Sequence, residues 1–231
     1  MSSEHRLPGL PLILKTSPRA KTMRLRVDPR TGEVLLTIPR RVTPRKALAW
    51  AETQRTWIEA QLARVEPATA IGPGSIVPLY GIPHLIDWDP ARPRRIEREE
   101  GALRVGGPEA GLEARVLRWL KAHARDLLDR ETRRFAEMAG RPVIRVAVGD
   151  PQSRWGSCSS SGAIRYSWRL ILAPDFVRIA TVAHEVAHLV HMNHSPAFHA
   201  EVARLLGTDP RPARDWLRSH GAGLHRIIPR A

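Results

Sequence analysis

The sequence predicts an α+β protein in two parts. A β-rich front half spans residues 1–108, and a helix-rich back half carrying a short antiparallel sheet spans residues 109–231. Three observations lead there. Residues 23–38 alternate apolar and polar with a period of two around a turn, which is strand patterning. Residues 109–139 place Leu112, Val116, Leu120, Leu127 and Leu128 at helical spacing ahead of Gly140, a stop signal. Gly106-Gly107-Pro108 interrupts the chain between the two patterns. A length of 231 residues allows one large domain or two small ones, and 42% hydrophobic with 26% charged residues argues against disorder.

In the front half, Met23, Leu25 and Val27 point one way and Arg24, Arg26 and Asp28 the other. Asp28-Pro29-Arg30-Thr31-Gly32 supplies turn chemistry, and Val34 to Ile38 returns as the second strand of a hairpin. Thr43-Pro44 reads as cap and first-turn proline of a helix reaching about Arg64, with Ala47, Trp50, Ala51, Trp57, Ile58 and Leu62 as its apolar positions. A breaker-rich connection at 66–74 leads to strand signals at 75–80, 84–88 and 94–105. In the back half, strands are expected at 143–148 and 163–172, and helices at about 175–192, 196–206 and 211–219.

The chain is strongly basic, with 37 Lys+Arg against 23 Asp+Glu, and 33 of the 37 are arginines. Residues 19–46 alone hold nine basic residues against two acidic ones. This basic hairpin is where an acidic partner, nucleic acid included, is expected to approach. No apolar run reaches the roughly 18–20 residues that cross a bilayer, so no membrane partner is expected. A lone cysteine, Cys158, excludes an intrachain disulfide framework and suits a reducing cytoplasm.

His184-Glu185-Val186-Ala187-His188 reads H-E-x-x-H. On a helix, His188 lies about 40° from His184, on the same face one turn on. Ile179, Val182, Val186, Leu189 and Val190 fall on the opposite side and form a core stripe. Two imidazoles so placed can hold one divalent ion, zinc being the expected one. The adjacent Glu185 carboxylate can then take a proton from metal-bound water. His194, six residues after His188, supplies a third ligand if the chain turns back, for which Asn193 offers a left-handed residue and Ser195-Pro196 the start of a new helix. Two rivals for the third position are His191, about 10.5 Å along the axis from His184, and Glu201 on the next helix. His199 reads as a cleft-lining residue.

Before this helix, Arg154-Trp155-Gly156-Ser157-Cys158 passes through Ser159-Ser160-Ser161-Gly162 into a strand in which Ile164, Tyr166, Trp168 and Leu170 alternate with Arg165, Ser167 and Arg169. A hairpin packing its aromatic face on the metal helix is expected, its edge offered to an extended peptide. Arg154, Trp155, Arg165, Arg169 and His199 are the candidate substrate contacts, the arginines for a carboxylate, a phosphate or a developing oxyanion. Cys158 reads as a packing residue.

With these residues in view, the chain resembles the YgjP-like metal-dependent hydrolases, a family related to the SprT/Spartan-type zinc metalloproteases. The resemblance runs from Ser17-Pro18-Arg19-Ala20-Lys21 through Gln152-Ser153-Arg154-Trp155-Gly156-Ser157-Cys158 and Trp168-Arg169-Leu170. It ends in the H-E-x-x-H string and Asn193-His194-Ser195-Pro196-Ala197-Phe198. It implies a zincin-like back half with His184, His188 and His194 as ligands and Glu185 as base. The chain departs from the family pattern at His199, where a tryptophan is expected, and at Ser167, where an asparagine is usual.

Three functions follow as expectations. The first is a zinc metallopeptidase in which Glu185 activates metal-bound water against a peptide carbonyl. The second is a metal-dependent nucleotide or phosphoanhydride hydrolase. The third is a nucleic-acid-associated protein with a structural metal.

Overall fold

The computed structural model describes Leu10 and residues 12–28, 31–63, 65, 70–151 and 153–227. Pro29 and Arg30 of the expected turn, residues 66–69 of the connection and Gln152 lie outside them. The chain forms two compact units, residues 1–68 and 69–231.

In the first unit, β1 (Leu12–Ser17), β2 (Arg24–Val27) and β3 (Val34–Pro39) pair in the order β1-β3-β2. The expected hairpin is the antiparallel β2–β3 ladder, closed by Asp28 N–H to Glu33 O at 2.8 Å. Arg24 and Arg26 are exposed and Leu25 and Val27 half-buried, as the alternation requires. Strand β1, parallel to β3, was not expected, because Pro8, Gly9 and Pro11 break the apolar run that leads into it. Thr43 caps α1 (Pro44–Thr53) by accepting the Lys46 amide. One continuous helix to Arg64 is not formed. Gln54 takes φ −100° and ψ 9°, and a second helix, α2 (Arg55–Leu62), starts there. Leu12, Leu14, Val34, Leu36, Ile38, Ala47, Ala51 and Ile58 make the core of this unit.

The second unit opens with β4 (Ile76–Leu79), β5 (Ile82–Asp89), β6 (Ile96–Glu99) and β7 (Ala102–Gly106), ordered β4-β5-β7-β6. Helix α3 (Leu112–Ala139) follows and stops at Gly140, which takes the left-handed φ of 62° that favours glycine. The Gly106-Gly107-Pro108 turn, expected as a domain boundary, lies inside this unit. Val77, Leu79, Ile86, Leu103 and Val105 of the sheet share one core with Val116, Leu120 and Leu128 of α3. Tyr80 and Gly81 also donate their amides to Ile171 O and Leu172 O, tying the sheet to the back half.

Strands β8 (Arg145–Gly149), β9 (Gly156–Cys158) and β10 (Ala163–Ser167) form the third sheet, ordered β8-β10-β9. The expected β9–β10 hairpin is antiparallel, but β8 runs parallel to β10, so the sheet is mixed. The chain reverses twice between β8 and β10, which restores its direction. The strand expected to continue to residue 172 ends at Ser167, whose side chain accepts from the Arg169 amide and opens a 3-10 turn, Trp168–Leu172. Helices α4 (Asp175–Ala187), α5 (Pro196–Leu206) and α6 (Arg211–Leu224) complete the unit. Buried Arg178 of α4 clasps α3 through Glu131 at 2.8 Å. Among the described residues, no helix is long and apolar enough to cross a membrane.

Candidate metal centre

Helix α4 is anchored by Val182 and Val186, both fully buried, with Ile179 and Leu189 half-buried beside them. That stripe turns His184 and His188 to the other side. The helix ends earlier than residue 192: His188 is its C-cap in right-handed geometry. Leu189 and Val190 then tighten the end with amide bonds back to Val186 O and Ala187 O. Asn193 does not take a left-handed conformation; among the described non-glycine residues only Tyr80 has positive φ. The reversal is instead made by this tightened end and by Ser195, whose hydroxyl accepts the Phe198 amide and whose successor, Pro196, starts α5.

The result brings His194 back onto α4. Its Nε2 stands 3.3 Å from His184 Nε2, and the three imidazoles of His184, His188 and His194 offer ligand atoms within 4.8 Å of one another. The rings pack pairwise at centroid distances of 5.1, 5.2 and 4.8 Å on the face of buried Phe198. His188 Nδ1 lies 3.0 Å from His191 O, so an Nδ1–H donor there leaves Nε2 with its lone pair. His191 thus contributes a backbone carbonyl, and its side chain is outside the cluster. Glu201 is also outside, bonded to Arg204 at 2.7 Å.

Burial, followed by the nearby charges of His188, His194, Arg214 and His199, lowers His184 to about 4. Burial also lowers His188, with the bond to His191 O opposing. For imidazoles whose affinity for protons is lowered in this way, protons compete little with a cation. Three imidazole nitrogens converging on one point, one ring oriented from behind, fit a divalent transition metal.

Glu185, beside His184 on α4, is 6% exposed. Burial pushes its carboxyl up to about 7, against a lowering influence from Arg154. A cation held by the histidines would draw it down again. The carboxylate has room only because residue 156 is glycine: a β-carbon built there would stand 2.4 Å from Glu185 Oε1. This glycine is needed for close approach of edge strand β9, not for its φ. Cys158, its thiol raised to about 11 by burial and then by Glu185, donates to Ser159 O and belongs to the packing.

Glu185 and His184 line a cavity of about 280 Å3 built by β9, α4, α5 and α6, whose walls include Ala180, Val202, Ala213 and Leu217. Arg154, Trp155 and His199 line it too. A second cavity, of about 200 Å3, is lined by Asp150, Pro151, Arg154, Ser157 and Arg165. Arg154 borders both.

Arg169 is in neither, which corrects its expected role. It is 1% exposed, bonded to both oxygens of Asp150 and to Leu224 O and Ile227 O, and its guanidinium lies over the Trp168 ring. The 3-10 turn after Ser167 swings it inward, where the strand alternation had put it outside. Sequence reasoning missed Gly156 and Arg214 as parts of the site. Gly156 sat in a motif that drew attention to its neighbours. Arg214 reaches the cavity only through the packing of α6 on α4, which no local pattern reports.

A family model for the YgjP-like metallopeptidase domain matches residues 21–220. Comparison with curated proteins and with solved structures gave no significant match.

Proposed function

The chain belongs to the YgjP-like metallopeptidase-domain family, and on that premise we propose that it is a zinc-dependent peptidase with a zincin-like arrangement on α4. The observation that carries this reading is the convergence of three imidazoles beside a buried carboxylate that no cation neutralises at salt-bridge distance among the described residues. His184, His188 and His194 would hold the ion. Bound zinc supplies Lewis acidity, polarising a substrate carbonyl and acidifying water. Glu185 takes the proton of the attacking water on its carboxylate and hands it to the departing amine, acting first as base and then as acid. Arg154, Trp155 and His199 contact the substrate in the larger cavity. The single cysteine fits a reducing cytoplasm as the compartment.

The test is a zinc-loaded incubation with a mixed peptide library, read by mass spectrometry against Glu185→Gln. Cleavage by the wild type that falls about 10²–10⁴-fold in the variant is expected. A wild type holding stoichiometric zinc and cutting nothing removes the reading.

A second reading, hydrolysis of a nucleotide phosphoanhydride, draws on the smaller cavity, where Arg154, Arg165 and Ser157 can bind phosphate oxygens. Asp150 on the same wall weakens it, although Arg169 pairs with that carboxylate. Pyrophosphate release from nucleoside triphosphates at equal rates in wild type and Glu185→Gln would eliminate it. Exposed Arg24 and Arg26 on β2 support binding of nucleic acid by the first unit as a separate proposal.

A further inference from the structure

The cavity beside Glu185 carries more chemistry than water activation needs. Ala180, Val202, Ala213 and Leu217 make one wall apolar, while Arg154 and Arg214 bring two guanidiniums to the same space. Glu185 is the only carboxylate among the lining residues. Neither arginine is in an ion pair among the described residues. Asp209 feels the charge of Arg214, but its carboxylate is bonded to the Arg211 backbone amide at 2.9 Å and side chain at 2.7 Å. A volume of about 280 Å3 sits at the lower edge of the roughly 300–1,000 Å3 typical of small-ligand pockets. It suits one residue, not a stretch of peptide.

One kind of peptide residue presents an apolar side chain, a carboxylate and a scissile amide nitrogen on a single α-carbon: the last one. Apolar wall, guanidiniums and Glu185 border one small space here, so the recognition elements are as close together as that substrate demands. Resting on the peptidase reading above, we infer that the cavity takes an apolar C-terminal residue, its free α-carboxylate held by Arg214 and Arg154, and that the enzyme is a carboxypeptidase. The reaction is hydrolysis. Water adds its oxygen to the carbonyl carbon, the C–N bond breaks, and the nitrogen takes the proton carried by Glu185. The products are a shortened peptide with a new carboxylate and one free amino acid.

Binding is measured first, on zinc-loaded Glu185→Gln, which holds substrate without turning it over. The probes are N-acetyl-glycyl-leucine, its C-terminal amide and N-acetyl-glycyl-glycine, titrated by calorimetry. The free acid is expected to bind at least about tenfold tighter than the amide, reflecting a charge-assisted pair. Loss of the leucine side chain is expected to weaken binding about tenfold. Adding Arg214→Ala should bring acid and amide within about threefold of each other.

Acid and amide binding equally, or neither binding, overturns the inference. So does an acid preference that survives Arg214→Ala and Arg154→Ala together, since the carboxylate then sits elsewhere, on the ion for example. Wild-type turnover separates the two readings. Release of leucine from the acid and of leucinamide from the amide at equal rates sinks the carboxypeptidase and leaves a peptidase. Tight, arginine-dependent binding of the acid with no release by the wild type leaves the pocket and sinks the peptidase.

Discussion

Two carboxylates in the same unit have opposite surroundings. Burial works against the charge of Asp150, just after β8, but two hydrogen bonds and the charge of Arg169 outweigh it and hold its carboxyl below the usual range. Glu185 on α4 is buried more deeply, finds only the distant influence of Arg154, and is raised to about 7. The pair teaches how this arginine-rich chain sorts its charges. A carboxylate given a buried guanidinium becomes an anchor, here fixing the end of α6 through the carbonyls that Arg169 also binds. A carboxylate left without one keeps its basicity for chemistry.

The sharpest test of this contrast is to neutralise each acid. Glu185→Gln should cost activity about 10²–10⁴-fold without costing stability. In the metal-free protein it should raise stability, and the sign follows from linkage. A carboxyl raised from 4.5 to about 7 penalises the folded state as pH rises through that window, and the penalty is absent below it. The melting advantage of Glu185→Gln over wild type, measured with chelator present, should therefore be small at pH 4 and grow toward about 3 kcal/mol at pH 8. An advantage that shrinks with pH would contradict the assignment.

Arg169→Met attacks the other side. It leaves Asp150 and two backbone carbonyls without their donor, for an expected loss of about 3–5 kcal/mol in denaturant unfolding. Unchanged stability would show that Arg169 is not an anchor. Gly156→Ala should cost less, about 1–3 kcal/mol of overpacking, but should lower kcat up to about 10²-fold by pushing Glu185 aside. Full activity in that variant would mean that the carboxylate does not need the position seen here. The smallest effect is the pH dependence of Asp150. Its pKa is depressed, so its contribution is present above the ordinary carboxyl range and is lost as pH falls through the folded value. With 36% of the side chain exposed, solvent screening limits it to about 1 kcal/mol. Acid unfolding of wild type and Asp150→Asn, compared between pH 6 and pH 3, measures it.

The two histidines of the H-E-x-x-H string were legible because a helix converts sequence spacing into direction. His184 and His188 share a face, and the buried Val182 and Val186 fix which face it is. The β2–β3 hairpin was legible for the same reason at period two. What escaped the sequence depends on contacts between distant segments. The break between compact units was hidden because Leu103 and Val105, which look like part of a separate front half, share one core with the residues of α3. Arg169 was misplaced because alternation assumes a strand that Ser167 ends. Arg214 and Gly156 matter only through what another element brings against them. The return of His194 was expected, but through a left-handed Asn193; the helix end does it by tightening and by the Ser195 cap.

The proposed chemistry requires one ion held by three histidines, and metal content measures that directly. Purified wild type and Glu185→Gln, loaded with zinc and dialysed, should each retain one ion per chain, while His194→Ala, folded by circular dichroism, should lose it. Stoichiometric zinc retained by His194→Ala would contradict the account, because the residue that the turn between α4 and α5 brings back would then not be a ligand.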